Sequence, residues 1–163
     1  MKGLTLIEVI IYLAIMAIFI SATFLLVNQS LENAERVRIK TETAANLELV
    51  MKKIEWAMNE AEIVNSPAVN ASSTQFSINQ FSSSFNPVVF ALNGDKITLS
   101  KSGGSAVDLT NDSVQVNDFL VEHFSTVDNP STLRIRLSIS GKSSGRLGQV
   151  ASTTVQMFFV VNP

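Results

Sequence analysis

Residues 1–27 read MKGLTLIEVIIYLAIMAIFISATFLLV, and from Leu4 to Val27 they form a run of twenty-four residues in which Glu8 is the only charge. At about 1.5 Å of rise per residue, a helix of that length can cross the hydrocarbon core of a bilayer. Glu8 is the anomaly, because an ionised carboxylate at the centre of a spanning helix costs roughly 2.5–3.5 kcal/mol even on the mildest scales. It needs either an escape to the interface or a partner.

Beyond Val27 the apolar run stops but the helical period does not. Gly3 is followed by no glycine until Gly94, and the first proline is Pro67, so the two strongest helix breakers are absent throughout. Leu31, Ala34, Val37, Thr41, Ala44, Leu47, Met51, Ile54, Met58 and Ala61 recur at three- and four-residue steps and predict one apolar stripe. Glu32 with Arg36, and Glu48 with Lys52, are well-oriented pairs one turn apart on the polar side. The pattern predicts a single helix from about Leu4 to Val64, with an all-apolar part at 4–27 and an amphipathic part at 28–64.

At Asn65-Ser66-Pro67 the character changes, and alternation replaces the helical period. Phe76, Ile78, Phe81 and Phe85 in the serine-rich stretch 71–86 favour an ordered loop with short strands over a disordered linker. PVVFAL, Asn93-Gly94-Asp95 and KITLS read as a hairpin around an Asn-Gly turn. DFLVEHFSTV, TLRIRLSIS and TTVQMFFVV read as three longer strands. In the second of these, Leu133, Ile135, Leu137 and Ile139 alternate with Arg134, Arg136, Ser138 and Ser140, so one face is buried and one wet. The fold class is α+β: a long amino-terminal helix whose later half covers an antiparallel sheet formed by residues 65–163. Trp56 is expected as an anchor between helix and sheet.

Composition removes several functions. The formal net charge is −2 with no basic patch, which speaks against nucleic acid as a partner. Charged residues are 16 % of the chain against roughly 25 % in ordinary soluble domains, and residues 1–27, whose only charges are Lys2 and Glu8, account for part of that deficit. There is no cysteine and one histidine, His123, so thiolate chemistry and paired-histidine metal sites are excluded. Asp108, Asn111, Asp112 and Asp118 lack the spacing of a calcium loop and read as solvated turn acids. Glu122 and His123 point to opposite faces of a strand, and Lys101–Ser105 is not a phosphate-binding loop. No catalytic residue, metal site or cofactor is expected, and the chain reads as a non-enzyme.

Three readings of residues 1–27 remain. A secretory signal has an apolar core of roughly 7–15 residues and a small-residue cleavage site, which fits poorly here. A plain anchor leaves Glu8 unexplained. The third reading takes Met1-Lys2-Gly3 together with Leu4-Thr5-Leu6-Ile7-Glu8, which strongly resembles the leader and mature start of type IV pilins and type II secretion pseudopilins. That resemblance implies a leader of residues 1–3, cleavage after Gly3 by a prepilin peptidase, and methylation of the new amine on Leu4. Thr5, Leu6 and Ile7 complete the motif. Glu8 becomes the fifth mature residue, which in the family pairs with the amino terminus of a neighbouring subunit during assembly. A mispaired register would bury that charge alone, so the pair would act as a register device.

The remainder resembles minor pilins, most nearly the H- and J-type pseudopilins and W-type minor pilins, with Asn162 but no arginine at the closing strand. The resemblance implies a low-copy subunit of a pilus-like or secretion filament, in a tip or priming complex. Its partners would be the peptidase, other pilins and an inner-membrane assembly platform, with the amino terminus inside and the carboxy-terminal domain outside. Lysine and arginine counts alone set no orientation, because Arg36, Arg38 and Lys40 follow the apolar run while Lys2 precedes it. The competing expectation is a membrane-anchored, extracytoplasmic binding module that never polymerises.

Overall fold

The computed structural model describes residues 5–81, 84–126, 129–142 and 152–161. The chain divides into two compact units, Met1–Arg38 and Ile39–Pro163. Helix α1, Leu6–Asn59, contributes to both. In the first unit its apolar side chains are exposed all round, as Leu6, Phe19 and Phe24 show. Leu31 and Val37 are also exposed, so the stripe expected from residue 31 is not buried there.

In the second unit the helix buries Thr43, Asn46, Leu47, Val50, Ile54, Ala57 and Met58. The steps of three and four are as expected, but the buried line includes Thr43 and Asn46 while Ala44 is exposed. Two polar residues can be buried there because each is satisfied. Thr43 Oγ1 donates to the Ile39 carbonyl at 2.8 Å, and Asn46 Nδ2 donates to the Glu42 carbonyl at 2.9 Å. The Asn46 side-chain oxygen then accepts the Asn111 backbone N–H at 3.1 Å, tying the helix to a loop sixty-five residues away.

The helix ends at Asn59, short of the expected Val64, and Ala61–Ser66 is strand β1. Its last carbonyls lack intrahelical partners, and no glycine or basic residue follows to serve them. Gln80 does so from another strand, donating to the carbonyls of Ala57 at 3.2 Å and Trp56 at 3.4 Å. Gln80 is held in turn by Asn86, which exchanges two hydrogen bonds with its backbone.

Among the described residues nine strands follow the helix: β1, β2 Ser72–Ser73, β3 Gln75–Gln80, β4 Val88–Asn93, β5 Lys96–Lys101, β6 Val107–Asp108, β7 Val114–Thr126, β8 Asn129–Gly141 and β9 Ser152–Val161. They form two antiparallel sheets where one was expected, ordered β1-β3-β4-β5-β6 and β2-β7-β8-β9. Between β1 and β3 the chain reaches across to the second sheet, where Ser72 and Ser73 pair with Glu122 and Val121 of β7. In the β4–β5 hairpin Asn93 pairs with Lys96, so the two-residue turn is Gly94-Asp95 and not Asn93-Gly94. Gly94 has φ +62°, which a side chain would make costly at that first turn position.

The two sheets and residues 47–58 of the helix share one core. Leu133, Ile135, Leu137 and Ile139 are fully buried, as their alternation predicts. Strand β7 buries Val114 and Val116 but then Phe119, Val121 and His123. The change of phase is a bulge at Asn117, since Val116 pairs with Ile139 while Asp118 pairs with the adjacent Ser138. Each fully buried leucine, isoleucine or phenylalanine contributes roughly 1.5–3 kcal/mol. Trp56, expected in this core, is 37 % exposed. Its ring instead lies under Lys101 Nζ, 4.4 Å from the centroid, with the Phe85 ring 5.0 Å from the same ammonium.

Candidate functional site

Thr5 immediately precedes the helix, and its carbonyl accepts the backbone N–H of Glu8 at 3.1 Å and of Val9 at 3.3 Å. Glu8 therefore stands in the first turn, where a carboxylate interacts favourably with the unpaired N–H groups and the helix dipole, by about 0.3–1 kcal/mol at exposed sites. That is a local reason for an acid at this end, and it falls well short of the cost of desolvating one in lipid. Glu8 Oε1 also accepts a hydrogen bond from the Tyr12 hydroxyl at 3.4 Å, one turn further along. Side chains on a helix lean towards its amino terminus, which carries the Tyr12 ring back over Glu8. Leu6 and Ile7 complete the turn as exposed apolar residues. Gly3 and Leu4, expected at the cleavage and methylation points, lie outside the described residues, as does Asn162.

The polar clusters of the second unit do not converge on a comparable point. Lys96 Nζ lies between Asp108 and Asp112, at 2.9 and 2.7 Å, where a cation-binding reading of those acids would place the ion. Its hydrogen bonds to Asp112 and then Asp108 push the Lys96 ammonium above its ordinary range and hold Asp112 below the usual carboxylate value. Asp118 pairs with Arg136 at 2.7 Å, and Asn111 Oδ1 accepts the Ser113 backbone N–H. Glu122 pairs with Arg134 at 2.6 Å on the exposed face, and the Arg134 hydrogen bond lowers its carboxyl. His123 faces inward, with Nδ1 2.9 Å from the Pro67 carbonyl and Nε2 2.6 Å from Ser131 Oγ. A carbonyl only accepts, so Nδ1 carries the proton and Nε2 takes the serine O–H. The histidine is a clamp between a loop and two strands.

The first unit is different in kind: its helix is long and apolar enough to cross a membrane. Residues 1–24 match the family model of the prokaryotic N-terminal methylation motif. The chain carries a pilin-type methylation motif. No curated protein and no solved structure matches the chain. The motif supports a type IV pilin-like precursor, processed by a prepilin peptidase, and an amino-terminal apolar helix suited to membrane anchoring. The α+β architecture of a long helix with antiparallel sheets is pilin-like as well.

Of the motif residues, Thr5 and Glu8 are joined by the first backbone hydrogen bonds of the helix. Tyr12 carries a signal in the amino-acid sequence, a hydroxyl four residues after a lone carboxylate. Gln80 had no comparable signal, because its partners Trp56 and Ala57 precede it by more than twenty residues.

Proposed function

We propose that the chain is a subunit of a type IV pilus-like or secretion pseudopilus filament, made as a precursor and cut after Gly3. Leu4 then carries the methylated amine, and Glu8 pairs with the amine of a neighbouring subunit as the apolar helices bundle. The observation that carries this reading is the methylation motif at residues 1–24 running directly into a helix whose only charge between Leu6 and Val27 is Glu8. An assembly residue must be charged and must stand near the cleaved end. In this reading the amino terminus lies inside, the second unit outside, and the partners are the peptidase, an inner-membrane platform and other pilins. The subunit is a minor one of the H, J or W type, acting in a tip or priming complex and doing no catalysis.

The first experiment is intact mass and amino-terminal sequencing of the chain expressed with a prepilin peptidase of its own source. A chain starting at Leu4 with one added methyl group is expected. A chain still starting at Met1 beside an active peptidase would support a permanent anchor that never polymerises. A start beyond Ala22 would mean a secreted domain. The minor assignment is tested by counting copies in purified filaments.

A further inference from the structure

We propose that strand β9 is an open edge that takes one further strand, an uncharged extended segment of another polypeptide, alongside Ser152–Val161. Among the described residues the two sheets end in four edge strands, β1, β6, β2 and β9. An edge offers a row of unpaired backbone N–H and C=O groups, and proteins ordinarily blunt it with shortness, charge or a bulge. Three of these edges are blunted. β2 and β6 are two residues long, and β6 carries Asp108 in an ion pair with Lys96. β1 carries Glu62 and breaks register twice within Ala61–Ser66. β9 has none of these devices. Its ten residues, STTVQMFFVV, hold no charge, proline or glycine, and they pair with β8 without a shift from Ser152 opposite Ser140 to Val161 opposite Ser131. β1 comes near β9 from the other sheet, yet among the described residues no backbone hydrogen bond joins the two.

The side chains of β9 set the chemistry of the strand that fits it. On the central strand β8 the inward positions Leu133, Ile135, Leu137 and Ile139 are fully buried. On β9 the inward positions Val155 and Phe159 are only half-buried, so the core is thin along this edge. On the outward face Phe158 and Val160 are 65 % and 60 % exposed. A strand hydrogen-bonded to β9 sets its inward side chains over Val155 and Phe159 and its outward ones beside Phe158 and Val160, with about 4.5–5.5 Å between opposed Cβ atoms. It is therefore apolar on both faces opposite residues 158–161. Charge complementarity sets the same limit. β9 has no charge, and Arg134 and Arg136, the cross-strand neighbours of Phe158 and Gln156, are already matched by Glu122 and Asp118. A charge on the incoming strand would be desolvated without a partner. A second copy of β9 fits less well. Laid antiparallel with its faces matched and centred on Met157, it sets Thr154 against Val160 and Thr153 against Val161, hydroxyls against the apolar end. The proposal stands on the second unit alone and does not depend on the role of Glu8.

The test uses the full chain in its source cells, with the exposed residues Gln156, Phe158 and Val160 replaced one at a time by photoreactive p-benzoylphenylalanine. Adducts formed on irradiation are mapped to the residue by mass spectrometry and scored at equal levels of the chain. Strand addition predicts adducts on one uncharged segment of one other polypeptide. The attachment point should move two residues along that segment for each two-residue step along β9. Phe158→Lys, which puts a charge at the edge, is expected to cut the adduct yield from position 156 about tenfold. Phe124→Lys, on the same exposed face but two strands in from the edge, is expected to leave that yield unchanged. Adducts on β9 of a second copy overturn the choice of partner. Adducts that are scattered, that show no two-residue step, or that are absent at all three positions overturn strand addition. An equal loss of yield with Phe124→Lys places the contact on the face of the sheet and overturns the edge.

Discussion

The buried side-chain amide of Gln80 closes the carboxyl end of α1 by donating to the Ala57 carbonyl at 3.2 Å. A strand residue thus does for the helix what a terminal glycine or lysine usually does. Replacing Gln80 with leucine would keep the volume and leave two carbonyls without a donor. The expected loss is about 1–3 kcal/mol, the cost of unsatisfied buried acceptors. Urea unfolding of the detergent-solubilised chain, followed by Trp56 fluorescence, reads it directly. Asn86→Ala should weaken the same cap indirectly and by a smaller amount.

Trp56 and Ile54 should respond in opposite proportion to their size. Ile54 is fully buried, so Ile54→Ala should cost about 2–5 kcal/mol. Trp56 is the larger side chain but is 37 % exposed and meets a cation on its outer face. Trp56→Ala should cost well under that of Ile54→Ala when both are unfolded in urea and followed by far-ultraviolet circular dichroism, since Trp56 is the single tryptophan. Lys101→Met should shift the emission of the single tryptophan without unfolding the protein.

The surface pairs predict a weak acid dependence of known sign. Hydrogen bonds from Arg134, Lys96 and Lys142 hold Glu122, Asp112 and Asp95 below their usual values of 4.5, 3.8 and 3.8. A carboxyl lowered in the folded state contributes stability above its unfolded value and loses it as pH falls through the folded one. Stability should therefore be flat at neutral pH and begin to fall near pH 4.5, continuing below 3.8. These groups are exposed, so the fall should shrink in high salt. Glu48, lowered by its hydrogen bond to Lys52, shares the earliest part of the titration with Glu122, so Glu122→Gln should reduce that part, as followed by unfolding midpoints at stepped pH.

Glu8 distinguishes a subunit from an anchor. In a polymerising chain Glu8→Leu should impair filament incorporation while leaving membrane insertion at least as good as before. Normal incorporation of both Glu8→Leu and Glu8→Ala would contradict the assembly role. Immunoblots of sheared filaments against membrane fractions make the comparison.

Much of this fold is legible in the amino-acid pattern because its long elements are periodic. The alternation of Leu133, Ile135, Leu137 and Ile139 and the absence of glycine and proline from Leu6 to Asn59 each state a local preference that the structure follows. The missed features depend on partners far away in the chain. Asn46 is buried because Asn111 meets it, and α1 stops where Gln80 can reach its last turn. Trp56 is expected as an anchor at the end of the amphipathic stripe, but Ala57 and Met58 face the core there. At the candidate site, Glu8 was conspicuous as one charge in an apolar run, whereas Tyr12 passed as one more aromatic residue among lipid-facing ones.

The last described strand has a consequence for the order of events during synthesis. Met157 and Val161 of β9 are buried in the same cluster as Leu47 and Val50 of the helix. The apolar face of α1 leaves the ribosome first, and the last described strand of its core cluster emerges about 100 residues later, a wait of roughly 5–20 seconds at ordinary elongation rates. Throughout that interval the helix presents a sticky, unfinished surface. A nascent chain would need that face shielded until β9 arrives.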